Sequence, residues 1–164
     1  MPMNSTSVGA IMERDAYWCR SDATLKNVTK QLIELGVSSL PVVDEDMRVV
    51  GFISDGDIMR AIAEHKTHSI FSGGAATMLY YDDESIEQKV LALRSRSVME
   101  LAARKVLCVT ENQSIGRVAD ILAKKKFKKL PVIDGEGRLV GIVRRSSIMR
   151  YAFDLLFHTE KGEN

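Results

Sequence analysis

The chain has 164 residues, 45% of them apolar and 27% charged, with a net charge of +1, the balance of a soluble globular protein. No stretch approaches the roughly 20 apolar residues that span a bilayer, and Met1-Pro2-Met3-Asn4-Ser5-Thr6 has neither the basic nor the apolar region of a signal peptide. The small net charge hides an asymmetry: residues 10–65 hold 6 Lys/Arg against 10 Asp/Glu (−4), whereas residues 99–158 hold 12 against 6 (+6). An anion bound between such halves finds its cations mainly in the second.

In chain order, Tyr17–Arg20 reads as a short strand. Thr24 is placed to cap an amphipathic helix striped by Leu25, Val28, Leu32 and Leu35 and stopped by Gly36. Two apolar, β-branched runs follow, Leu40–Val43 and Arg48–Ile53, joined by the acidic turn Asp44-Glu45-Asp46. Asp55–Glu64 reads as a helix with Ile58, Ala61 and Ile62 inward. The segment from Thr67 to Tyr81, with Ser72-Gly73-Gly74-Ala75-Ala76, is expected to be irregular and flexible. Asp82-Asp83 are expected to cap a helix over Glu84–Ser95 with Ile86, Val90 and Leu93 on one face. The pattern then repeats: strand Val106–Val109, cap Ser114, helix Ile115–Lys125, strands Leu130–Ile133 and Leu139–Val143 around Gly135-Glu136-Gly137, and a last helix to about Phe157. Phe153, Leu155, Leu156 and Phe157 are more apolar than a free tail requires, which points to dimerisation.

The repetition is exact in spacing. Ser38-Ser39-Leu40-Pro41-Val42-Val43-Asp44 returns ninety positions later as Lys128-Lys129-Leu130-Pro131-Val132-Ile133-Asp134, and the register holds without gaps from Arg14/Arg104 to Arg60/Arg150. The chain is an internal duplication of a β-α-β-β-α unit, with boundaries at 8–65 and 98–157, a linker over 66–97 and a tail over 158–164.

The chemistry concentrates where strand meets helix. In Gly51-Phe52-Ile53-Ser54-Asp55-Gly56-Asp57 the strand delivers Ser54 to a helix N-terminus, a place that favours phosphate. The Asp57 carboxylate, one turn on, can accept two hydrogen bonds from a vicinal diol. The same Ser-x-x-Asp spacing also reads as a capping box, and the two roles can coexist. The second copy, Gly141-Ile142-Val143-Arg144-Arg145-Ser146-Ser147, puts Arg144 in place of Ser54 and Ser147 in place of Asp57. That site is either empty or adapted to something more anionic, unless the two arginines are solvated or pair with the acidic first half.

Elsewhere the signals are weaker. Cys19 and Cys108 fall one register position apart and read as buried free thiols in a reducing cytoplasm. His65 and His68 have no third metal ligand nearby. Trp18 reads as core or as a lining of that second site, and the run Lys124-Lys125-Lys126 as a solvated helix end. No nucleophile–base pair, P-loop or dinucleotide fingerprint marks an enzyme, and no nucleic-acid-binding pattern accompanies the basic run.

Two copies of h-P-V-h-D … h-V-G-h-h around a β-α-β-β-α unit resemble a pair of cystathionine-β-synthase (CBS) domains, the Bateman module, over about residues 8–157. The resemblance implies an α/β fold of two repeats about a pseudo-twofold axis, dimerising into a disc. It implies a non-catalytic module that binds AMP, ADP, ATP or a related adenosyl ligand such as S-adenosylmethionine and signals to a partner protein. By resemblance Ser54 and Asp57 serve phosphate and ribose, the adenine rests near Val106, Leu107 and Phe127, and Lys128 and Lys129 meet phosphates. A second candidate site would use Tyr17, Ser38, Ser39, Arg144 and Arg145, although one nucleotide site per chain is the expectation. The alternatives are a ligand-free structural or dimerisation module, or a polyanion or nucleic-acid binder working through the basic second repeat.

Overall fold

The computed structural model describes residues 6–64, 67–72, 75–80, 84–124 and 127–158, with the backbone alone for 67–72 and 75–80. It is an α/β protein with the element order β1 (Cys19–Arg20), α1 (Leu25–Leu35), β2 (Ser39–Val43), β3 (Val49–Ser54), α2 (Asp55–Ala63), β4 (Thr67–Ser72), β5 (Ala75–Tyr80), α3 (Ile86–Leu93), β6 (Val109–Thr110), α4 (Ile115–Lys124), β7 (Lys129–Ile133), β8 (Leu139–Arg144) and α5 (Arg145–His158). The strands form two three-stranded sheets, β1-β2-β3 and β6-β7-β8, and one hairpin, β4-β5. In the second sheet β6 runs parallel to β7, and β7 antiparallel to β8. Among the described residues no helix is long and apolar enough to cross a membrane.

Local chemistry accounts for the boundaries. The Thr24 hydroxyl accepts the Asn27 N–H at 3.3 Å, and Gly36 closes α1 in the left-handed conformation. Asp44 and Asp134, identical in the two repeats, each fold a turn back on itself. Asp44 Oδ1 accepts from the N–H groups of Asp46 and Arg48, and Asp134 Oδ1 from those of Glu136 and Arg138, all at 2.9–3.0 Å. Pro131 is tolerated inside β7 because β6 pairs only with Val132 and Ile133, so the proline is paired on one side, with Ile142.

The chain divides into two compact units, one of Met1–Trp18, Val43–Val50 and Lys105–Asn164, the other of Cys19–Val42 and Gly51–Arg104. Each unit therefore carries a leading segment that precedes the other repeat. In the first unit Glu13 bridges to Ile142 on β8, with N–H···O bonds of 2.8 and 2.9 Å. In the second unit Ala103 bridges to Phe52 on β3, both bonds 2.9 Å. These bridges explain the glycine of the repeated motif. A Cβ on Gly141 would lie 2.7 Å from the Glu13 carbonyl oxygen and 3.1 Å from Met12 Sδ. A Cβ on Gly51 would lie 3.3 Å from the Ala103 oxygen. The first unit's core is Val8, Met12, Val109, Val118, Leu122, Leu130, Val132 and Val143. The second unit buries Leu25, Val28, Leu32, Leu40, Val42 and Ile53.

Several expectations need correction. The first strand of each repeat is two residues long, so Tyr17, Val106 and Leu107 precede β1 and β6 rather than lie in them. The segment from Thr67 to Tyr80 is not irregular: β4 and β5 pair antiparallel from Thr67↔Tyr80 to Ser72↔Ala75. The two residues between them are a Gly-Gly pair, the composition that two-residue hairpins favour. Ser85 caps α3, its hydroxyl accepting the Gln88 N–H at 3.2 Å while Gln88 returns a bond to Ser85; residues 82 and 83 lie outside the described residues. Of the expected α3 face, Leu93 is buried while Ile86 and Val90 are exposed. Ile58, Ala61 and Ile62 of α2 are half-buried. Trp18 is 36% exposed, at odds with a core role. Both cysteines are free thiols, Cys19 buried and Cys108 half-buried. His65 lies outside the described residues, and of His68 only the backbone is described.

Candidate functional site

The end of β3 and the first turn of α2 hold the two residues on which the expected site centres. Extended backbone at Ser54 (φ −123°, ψ 161°) turns directly into the helix. Ser54 is the N-cap: its hydroxyl oxygen accepts the Asp57 N–H at 3.3 Å. Asp57 Oδ2 in return accepts both the Ser54 N–H and its O–H, each at 2.9 Å. The capping box is therefore complete. The other carboxylate oxygen, Oδ1, is paired with the Arg60 guanidinium one turn along the helix.

The bonds of the first helical turn decide how much of an anion receptor remains. The Asp55 N–H donates to the Ser38 carbonyl at 2.8 Å and the Asp57 N–H to Ser54, which leaves that of Gly56. Asp55 adds a second carboxylate at the same turn. The helix terminus is thus mostly satisfied from within the protein, less open to phosphate than the bare sequence implied.

The second repeat presents a basic version in the first unit. Lys129, half-buried at the start of β7, stands opposite Arg144 at the end of β8 in the strand register. Arg144 Nε donates to Glu13 Oε2 at 3.1 Å. Arg145 Nη2 donates to the Leu122 carbonyl in the last turn of α4 at 2.8 Å. Both arginines of the second candidate site thus have protein partners, and Arg144 finds its carboxylate in the acidic part of the sequence. Ser147, the counterpart of Asp57, lines an open cavity of about 560 Å³ with Thr6, Glu13, Arg150, Tyr151 and Asp154.

The remaining expected residues have these positions. Lys128 is exposed and its carbonyl caps α5, accepting the Arg145 N–H at 3.0 Å. Phe127 and Leu107 are 43% and 40% exposed, Tyr17 is 50% exposed, and Val106 is half-buried. Ser38 is exposed, while Ser39, at the place of Lys129, is buried. Lys124 pairs with Asp120 at 2.9 Å; Lys125 and Lys126 lie outside the described residues. Ser54, Asp57, Ser38 and Ser39 belong to one unit and Val106, Leu107, Phe127, Lys128 and Lys129 to the other.

Two residues absent from the expected set contribute to these clusters. Arg60 could have been found from its i,i+3 spacing to Asp57 on a predicted helix. Glu13 lies 131 residues from Arg144 and left no signal in the sequence.

Burial pushes the Lys129 ammonium down from 10.5 to about 8, helped by Arg144 and opposed by Glu13. Between those values the unfolded chain holds a proton that the folded chain lacks, so this lysine's penalty is full below pH 8 and fades as pH rises toward 10.5. Cys19 and Cys108, pushed up to about 12 and about 11 by burial, act in the opposite sense above pH 9. The effect of Lys129 is therefore read by difference. Lys129→Met should be more stable than the parent at pH 7.5, and the gap should shrink by about 1–2 kcal/mol by pH 10. Urea midpoints at the two pH values check this, and a gap that does not change with pH refutes it.

Comparison with known proteins identifies the family and the fold. The family profile described as "CBS domain" matches twice, at residues 8–64 and 98–154. The CBS domain-containing protein CBSX1, chloroplastic, of Arabidopsis thaliana is 26% identical over 155 residues; the match covers 91% of this chain and 65% of that protein, so the chain spans less than two thirds of its relative. The crystal structure of CBSX2 in complex with AMP superposes with a TM-score of 0.69 at 23% identity, covering 92% of this chain and 98% of that one. The CBS domain pair of protein MJ0100 in complex with 5′-methylthioadenosine and S-adenosyl-L-methionine gives 0.67 at 24% identity, covering 93% and 99%. At these identities the structural likeness establishes the fold.

Proposed function

This chain belongs to the CBS-domain family, of which it carries two copies, and on that premise we propose that it is a non-catalytic sensor of an adenosyl ligand. The observation that carries the reading is the half-buried Asp57 carboxylate, held at the mouth of α2 by the capping box in an orientation fixed before any ligand arrives. A preset carboxylate needs no reordering of its own side chain to meet the two ribose hydroxyls, which lowers the entropic penalty of binding, although its Oδ1 must first be released by Arg60. Two relatives of the same fold are described in complex with AMP and with methylthioadenosine and S-adenosylmethionine, which supports an adenosyl ligand as the class.

In this reading Asp57 takes the ribose and Ser54 holds Asp57 in place. Lys128 and Lys129 are proposed phosphate contacts and Val106, Leu107 and Phe127 an adenine surface, on the strength of the family resemblance. A homodimer is part of the proposal, supported by the exposed Phe153, Leu155, Leu156 and Phe157 of α5. A reducing compartment is proposed from the two free thiols. Ligand binding would alter a surface read by a partner protein, and the response can be no larger than the ligand's difference in affinity between the two states.

A ligand-free structural module is the second reading, favoured by the completeness of the Ser54–Asp57 capping box. Thermal unfolding with AMP, ATP and S-adenosylmethionine separates the two. The sensor reading expects at least one to raise the midpoint, in a manner insensitive to Ser147→Ala. If none of the three moves it, the structural reading stands.

A further inference from the structure

We infer that Arg60 makes the Ser54–Asp57 site selective for adenosyl ligands that carry a phosphate over those that are neutral or cationic. This rests on the ribose reading proposed above. The Asp57 carboxylate has both oxygens engaged: Oδ2 closes the capping box and Oδ1 is paired with Arg60. A ribose diol needs two acceptor positions on that carboxylate, and the capping box holds the helix end together. Oδ1 is the oxygen that yields, so an arriving ribose competes with Arg60. The Asp57 side chain is 17% exposed and that of Arg60 74%, so Arg60 moves readily into solvent while Asp57 stays.

What the ligand returns to Arg60 then decides the balance. A nucleotide offers its phosphate to the displaced guanidinium, exchanging one charge-assisted contact for another. Methylthioadenosine offers nothing in exchange, and the sulfonium of S-adenosylmethionine adds like-charge repulsion. The helix end cannot substitute for the arginine, because two of the first-turn N–H groups are bonded within the protein and Asp55 places a further negative charge there. Among the described residues of α2, Arg60 is therefore the group that can compensate a phosphate. The second repeat shows the same helix position without this coupling: Arg150 is kept, but Ser147 stands where its carboxylate would be.

Calorimetric titration of AMP and of 5′-methylthioadenosine into the parent protein, Arg60→Met and Asp57→Asn tests the inference. Methionine keeps an apolar stem at an exposed helical position, so the fold is retained; a single cooperative melt without ligand, within a few degrees of the parent's midpoint as the loss of one exposed ion pair allows, confirms it. Arg60→Met should weaken AMP about tenfold, the weight of a hydrogen bond to a charged group less that of the ion pair that no longer has to break. It should tighten methylthioadenosine about two- to fivefold, the weight of an exposed ion pair. Arg60→Lys, which keeps the charge, should hold most of the parent's preference. If Asp57→Asn abolishes binding but Arg60→Met leaves the ratio of the two affinities unchanged, the selectivity inference is wrong and the ribose site stands. If Asp57→Asn leaves both ligands bound as before, or neither binds the parent protein, the ribose reading fails and takes this inference with it.

Discussion

Gly141→Ala should destabilise the protein by about 1–3 kcal/mol, the range for forcing an extra carbon into a packed interior. Gly51→Ala, the same change in the first repeat, should act in the same direction and by less. The reason is distance. The new carbon at Gly141 would stand 2.7 Å from a backbone oxygen, Glu13 O, which accepts the Ile142 N–H. The Glu13 N–H in turn donates to the Ile142 carbonyl, so the segment cannot retreat without breaking this two-bond bridge. At Gly51 the corresponding contacts, to Ala103 O, Met99 Sδ and Val42 Cβ, are each 3.3 Å, and shifts of a few tenths of an ångström relieve them. For a chain of this size a loss of 1 kcal/mol lowers the midpoint by roughly 2–4 °C, so the pair is resolved by calorimetry. Equal effects at both glycines would show that the close approach of the leading segment is not what the motif glycine serves.

The second large effect concerns the ligand. An adenosyl ligand at about 100 times its dissociation constant should stabilise the folded protein by about 2.7 kcal/mol, and Asp57→Ala should remove that stabilisation entirely. Asp57→Ala also opens the capping box, so its own baseline falls, and the ligand-induced shift must be measured against that new baseline. Ser54→Ala provides the separation. It removes the cap hydroxyl, at a loss of about 1 kcal/mol to the ligand-free protein, but leaves the carboxylate and its Arg60 partner. A ligand shift that survives Ser54→Ala and vanishes in Asp57→Ala assigns the carboxylate to the ligand. A shift that survives both refutes the assignment.

Much of the architecture was legible because it was written twice. The helix spanning Leu25–Leu35, its Thr24 cap and its Gly36 stop follow from local rules, and the structure places all three as expected. The paired sheets follow from β-branched runs at matched spacing. The errors fell on residues whose state depends on distant partners. Tyr17 and Val106 are apolar and of strand-forming type, yet the first strand of each repeat begins later, since a strand exists only where its neighbour offers a ladder. Ser85 won the cap of α3 over the acidic pair before it by closing a capping box with Gln88. The linker expected to be irregular holds two strands, because the runs Thr67–Ser72 and Ala75–Tyr80 pair in antiparallel register, a partnership that no single segment announces.

For the site, residue order alone establishes the duplication, the strand-to-helix junctions and the asymmetry between Ser54/Asp57 and Arg144/Ser147. These are matters of residue type at fixed spacing, which the backbone conveys locally. What those side chains meet depends on the packed fold. It gave Glu13 to Arg144 across 131 residues, the Leu122 carbonyl to Arg145, and the Ser38 carbonyl to the Asp55 N–H. It also showed why the motif glycine is there, since the segment that crowds Gly141 belongs to the start of the chain. Hydrogen bonds and steric contacts act over a few ångströms of space, whatever the separation along the chain. Pattern therefore names the candidates, and packing assigns their partners.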